Sequence, residues 1–162
     1  MKGGRKMNIK KNFLVVENLK NKDDIGTNFN DRAIPISFAD FNKRYDLEKQ
    51  NILPIHVTQH NFIELIRLIL KDNLNVYTIE IENNEELSCN ITQSVREGNL
   101  EEVQKNLEEI KVNEFEIKSI RVEVSKRYYR INKQGVVTVE FDENNKIEDV
   151  LYQTFLFDAL GV

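Results

Sequence analysis

The sequence predicts an α+β fold: a single domain with a mixed or antiparallel sheet and two to four helices. Three observations carry that prediction. Residues 58–73 and 99–111 place apolar side chains at helical spacing behind residues that cap helices well. Residues 115–142 alternate apolar and polar well enough for a long β-hairpin. At 162 residues, the chain is long enough to bury roughly 70% of the surface its unfolded form exposes, without a disulfide or metal.

The elements follow in chain order. Residues 1–6 read as a leader outside the domain, which occupies residues 7–162. Lys2-Gly3-Gly4 can be encoded by a ribosome-binding sequence, and its distance from Met7 suits initiation there. Removing Lys2, Arg5 and Lys6 takes the formal net charge from −4 to −7. Residues 8–17 form a first strand around the apolar run Phe13 to Val16, and residues 18–30 form a polar loop. Residues 33–38 give an edge strand, because Pro35 cannot donate to a ladder. Residues 39–50 are weakly helical, and residues 52–57 form a short strand interrupted by Pro54.

In the helix at 58–73, Glu64, Arg67 and Lys71 mark a polar face, and Phe62, Ile63, Leu65, Ile66, Ile69 and Leu70 cover most of the remainder, so the helix is expected to be largely buried. Thr58 is its candidate N-cap, with Asn61 and Glu64 offering a second capping-box spacing. Residues 75–82 alternate as a strand, setting Tyr77, Ile79 and Ile81 against Val76 and Thr78. Asn83-Asn84 marks a turn, and residues 86–92 read as the returning strand. In the helix at 99–111, Leu100, Val103, Leu107 and Ile110 share a stripe behind an Asn99 cap. The hairpin has one arm at 115–131, a turn at 132–135 whose Gly135 supplies positive φ, and a second arm at 136–142. Residues 147–160 predict a last helix that covers the core or forms a homodimer interface. From residue 52 to 124 the order β, α, β, β, α, β matches a ferredoxin-like βαββαβ core, extended by a C-terminal β-hairpin and helix.

Composition narrows the function classes. The single cysteine, Cys89, rules out an intrachain disulfide and a cysteine metal cluster, and fits a reducing cytoplasm. No apolar run approaches the ~20 residues of a membrane helix, so no membrane partner is expected. Richness in Asn, Ile and Lys suggests a low-GC bacterium, phage or plasmid.

Three clusters are candidates for chemistry. His56, His60 and Glu64 recur every four residues, but Pro54 and the Thr58 cap put His56 ahead of the helix, so neither metal nor other cofactor is expected. Glu116 and Lys118 have the spacing of half a restriction-type nuclease site, with Glu80 and Glu82 as acidic partners. The same pattern arises whenever Glu and Lys alternate on the wet side of a strand. Lys126, Arg127, Tyr128, Tyr129, Arg130 and Lys133 form the densest basic and aromatic stretch, and the best candidate for partner binding. Alternation puts Lys126, Tyr128 and Arg130 on one side and Arg127 and Tyr129 on the other. The expectation is a non-enzymatic, cytoplasmic protein-binding module of the immunity or anti-defence inhibitor type, whose net negative charge attracts a basic protein. A nucleic-acid-binding accessory is the first alternative, and a metal-dependent nuclease or hydrolase the second.

Overall fold

The computed structural model describes residues 8–18, 33–35, 52–54, 56–124 and 126–142. Its elements are β1 (Asn8–Asn18), β2 (Ala33–Pro35), β3 (Ile52–Pro54), α1 (Gln59–Lys71), β4 (Asn75–Ile81), α2 (Glu85–Arg96), α3 (Leu100–Val112), β5 (Ile117–Val124), β6 (Arg127–Asn132) and β7 (Val136–Asp142). The sheet order is β2-β1-β7-β6-β5-β4, with β3 also pairing β1. Every pairing is antiparallel. The leader, the weak helix at 39–50 and the last helix at 147–160 lie outside the described residues, as does a homodimer interface built on that helix.

Each helix begins where a short polar side chain can satisfy an orphan N–H. Thr58 and Asn61 form a reciprocal capping box at α1, so the Asn61–Glu64 pair is not the cap. Asn99 accepts from Glu102 at the start of α3. The first turn of α1 is also tied to the sheet. The Gln59 amide accepts from Ile117 N at 2.8 Å and donates to Ile117 O, acting as a one-residue substitute for a strand neighbour.

Three expectations are corrected. Residues 86–92 are not a returning strand but most of α2, so the described order is β, α, β, α, α, β rather than βαββαβ. Asn84 caps this helix, Glu85 and Glu86 occupy its first turn, and Leu87, Ile91 and Val95 are buried at four-residue spacing. The arm at 115–131 is also two strands. Val124 pairs with Arg127 around a turn in which Lys126 adopts φ 65°. Finally, Tyr77 does not share a face with Ile79 and Ile81. The β4–β5 register shifts between Val76 and Thr78, which leaves Val76, Ile79 and Ile81 as the buried set. A bulge of this kind re-aims the side chains on either side of it.

The core lies on one face of the sheet. Val76 and Ile79 of β4 meet Val122 and Ile120 of β5, which meet Tyr129 and Ile131 of β6, which in turn meet Val139 and Val137 of β7. Phe62, Leu65, Ile66 and Ile69 of α1, with apolar residues of α2 and α3, belong to the same cluster.

Helix α2 has a second task. β4 ends the sheet order, so among the described residues its outer backbone groups have no strand partner. Ser88, Thr92 and Arg96 stand four residues apart on α2 and supply those partners. Thr92 Oγ1 accepts from Ile79 N at 2.9 Å, Ser88 Oγ accepts from Ile81 N at 2.7 Å, and Arg96 donates to the carbonyls of Val76 and Tyr77.

Candidate binding surface on the open sheet face

The face opposite the core is polar, and among the described residues no helix covers it. Strand register arranges it in rows. Thr78 stands beside Arg121, Arg121 beside Arg130, and Arg130 beside Thr138, which is beside Asn12. A parallel row runs from Glu123 through Tyr128 and Glu140 to Lys10. Tyr77 enters at the bulge.

The centre is a stack of three side chains. The rings of Tyr77 and Tyr128 meet edge to face with centroids 5.2 Å apart. The Arg121 guanidinium lies 5.4 Å from the first centroid and 5.7 Å from the second, and 3.4 Å from Glu140 Oε2. Tyr77 donates its hydroxyl to Glu123 at 3.2 Å. The neighbouring Tyr128 hydroxyl, then burial and the Glu123 carboxylate, push the Tyr77 phenol up to about 12. Beside the stack is a depression of about 340 Å³ lined by Lys10, Thr78, Arg121, Tyr128, Arg130, Thr138 and Glu140.

The six predicted contact residues do not form one surface. Lys126 is exposed at the β5–β6 turn. Lys133 is at the other end of β6, roughly 20 Å away at ~3.3 Å per strand residue. Tyr128 and Arg130 are on the open face, as alternation required. Arg127 is half-buried, and its Nε is enclosed without a hydrogen-bond partner. Tyr129 is fully buried against Val122 and Val139, and burial holds its phenol protonated well above the usual range. It cannot be a contact residue in this fold. Sequence reasoning missed Tyr77 and Arg121. Arg121 sits on an alternating strand and could have been found as a neighbour of Tyr128, whereas Tyr77 depends on a bulge.

The residues named for a nuclease site fall into two clusters, Glu82 and Glu116 about Lys133 and Glu80 beside Lys118. Lys133 Nζ lies 2.8 Å from Glu82 Oε2 and 3.0 Å from Glu116 Oε2. The ammonium therefore stands between the two carboxylates. Hydrogen bonding to Lys133 lowers Glu82, and the two carboxylates raise Lys133. Lys118 and Arg130 flank Glu80, which is lowered first by the Ser119 hydroxyl. His56 precedes α1, so it does not share a helical face with His60 and Glu64. Among the described residues, no group of three His, Cys, Asp or Glu side chains is arranged to hold a metal ion. None of the described helices is long and apolar enough to cross a membrane.

One acidic stretch runs from α2 to just past α3. Residues 85–114 carry eight glutamates against Arg96, Lys105 and Lys111, an excess larger than the −4 of the whole chain. Comparison with known protein families, curated proteins and solved structures finds no match to this chain.

Proposed function

We propose that the protein is a non-enzymatic protein-binding module that docks through the open sheet face. The observation that carries this reading is the Tyr77–Arg121–Tyr128 stack, bonded to Glu123 and Glu140 on a face that no described helix covers. Tyr and Arg are the side chains most enriched where protein interfaces concentrate their energy. A single surface of this kind suits a small cytoplasmic inhibitor of the immunity or anti-defence type, acting by occupying another protein. The charge distribution refines the expected steering. The stretch from α2 to just past α3 is acidic, with eight glutamates against three cations over residues 85–114, so attraction toward a basic partner acts in part through this side while the sheet face supplies the contact.

The nucleic-acid alternative is weaker on this face. Arg121 already lies against both tyrosine rings, which limits their use as platforms for bases. Glu80, Glu123 and Glu140 interrupt any path for a phosphate backbone. The test is capture from native-host lysate with and without nuclease, comparing the wild type with Tyr128→Ser. A partner protein that survives nuclease and is lost with Tyr128→Ser, at unchanged melting temperature, supports the reading. Loss on nuclease treatment overturns it in favour of nucleic acid. Equal retention by the variant removes the face as the contact.

A further inference from the structure

We infer that the depression beside the tyrosine stack is an anchor site for a carboxylate side chain, an Asp or Glu presented by the partner protein. This inference rests on the protein-binding reading above. Lys10, Arg121 and Arg130 enter the depression from three different strands, against the single carboxylate of Glu140. The local charge is therefore positive in a chain whose net charge is negative.

The two guanidiniums are only partly used. Arg121 reaches Glu140, and Arg130 reaches Glu80, each through one nitrogen at 3.4 Å. Charge-assisted N–H···O bonds in optimal geometry are nearer ~2.7–2.9 Å, and a guanidinium has five N–H groups in a fork suited to a planar carboxylate. Each arginine therefore has donors left over. Lys10 forms no ion pair among the described residues. Thr78 and Thr138 add hydroxyls on either side, and Thr138 is already oriented by its 2.7 Å bond to Asn12.

Charge decides between a carboxylate and a phosphate. A carboxylate brings a single negative charge, which three cations and one glutamate can accommodate. A terminal phosphate brings ≈ −1.5 to −2 at neutral pH and meets stronger repulsion from Glu140 and the nearby Glu80. A polynucleotide would also have to pass Glu123.

The experiment is an NMR titration of the full chain, following backbone amides and arginine Nε–H signals. The probes are a blocked Gly-Glu-Glu-Gly peptide, its Gly-Gln-Gln-Gly counterpart, inorganic phosphate and a short oligothymidine. The expected result is saturable shifts at Arg121, Arg130, Thr78 and Thr138 with the glutamate peptide, at least tenfold weaker with glutamine. The double variant Lys10→Gln/Arg130→Gln should weaken binding at least fivefold. Arg130→Lys, which keeps the charge and loses the fork, should recover only part of it. Tighter binding of phosphate or oligothymidine overturns the carboxylate assignment. Equal shifts with both peptides, or shifts scattered over surface lysines, overturn the site.

The two readings fail separately. Partner capture that depends on Tyr128 but is unaffected by Lys10→Gln/Arg130→Gln removes the anchor and leaves the docking face. Peptide binding at Arg121 and Arg130, with partner capture unaffected by Tyr128→Ser, removes the docking face and with it the partner as the source of the carboxylate.

Discussion

Tyr128 and Tyr129 are adjacent in the chain and experience opposite environments. Tyr129 is sealed in the core between Val122 and Val139, while Tyr128 stands on the polar face against Tyr77 and Arg121. One peptide bond separates a residue that packs in the core from one on the polar face. The difference comes from the twofold period of a strand and not from residue type. It shows why a basic and aromatic cluster read along the sequence overstates a binding surface. Half of such a cluster in a strand faces inward.

The largest expected effect sets these two tyrosines against each other. Tyr129→Ala should destabilise by about 3–5 kcal/mol, as truncation of a large buried aromatic does. Tyr128→Ala should cost less than about 1.5 kcal/mol, mainly the ring contacts with Tyr77 and Arg121. Urea unfolding of both variants measures the gap. Equal losses would mean that the open face is as structural as the core.

A smaller effect tests the sealed edge of β4 against the open face. Thr92→Val preserves shape but removes the oxygen that accepts from Ile79 N. That N–H then lies buried and unpaired, which should cost about 1–3 kcal/mol. Thr138→Val on the open face should change stability by less than about 0.5 kcal/mol, since water replaces its partner. If Thr92→Val is equally mild, α2 does not seal the strand.

Where the sequence was legible, local signals agreed with tertiary structure. Thr58 and Asn99 cap their helices, and Gly135 takes φ 84° at its turn; of the predicted α3 stripe Val103 and Ile110 are buried, whereas Leu100 in the first turn is exposed. The failures have separate causes. Helix α2 carries Ser88, Cys89 and Thr92, weak helix formers whose hydroxyls at 88 and 92 are used on the β4 edge, so propensity pointed away from the structure that tertiary hydrogen bonds select. The β5–β6 turn adopts positive φ at Lys126 rather than at glycine or asparagine, which concealed the break. The Tyr77 bulge leaves no mark on composition at all. Of the candidate site, Tyr128 and Arg130 were readable from alternation. The completing residues Tyr77 and Arg121 required the register.

A third prediction probes the open face from within. Tyr77 should titrate at about 12 rather than near 10, because the Tyr128 hydroxyl is the first cause of its shift. A raised folded value means that the stabilising contribution is complete below pH 10 and disappears as pH rises toward 12. Ultraviolet titration of the wild type and Tyr128→Phe checks this. The phenol of Tyr77 should return part of the way toward 10 in the variant, and no movement would uncouple the two rings.

The smallest effect concerns Lys133, which the sequence offered as a contact residue and the fold places between Glu82 and Glu116. Lys133→Gln should lower the melting temperature slightly at pH 7, because two neighbouring carboxylates lose their shared cation. Exposed pairs contribute little, so the pH dependence is more diagnostic than the size. Glu82 is lowered from 4.5 in the wild type, so the stabilisation it provides is present above pH 4.5 and disappears as pH falls through its folded value. Without Lys133 the largest cause of that lowering is gone. The melting curves of wild type and variant should therefore differ most near neutrality and converge below pH 4.5. A constant gap from pH 3 to pH 7 would show that Lys133 acts through packing rather than charge. It would also remove the reason for separating it from Arg121 and Arg130 of the open face, which pair with Glu140 and Glu80.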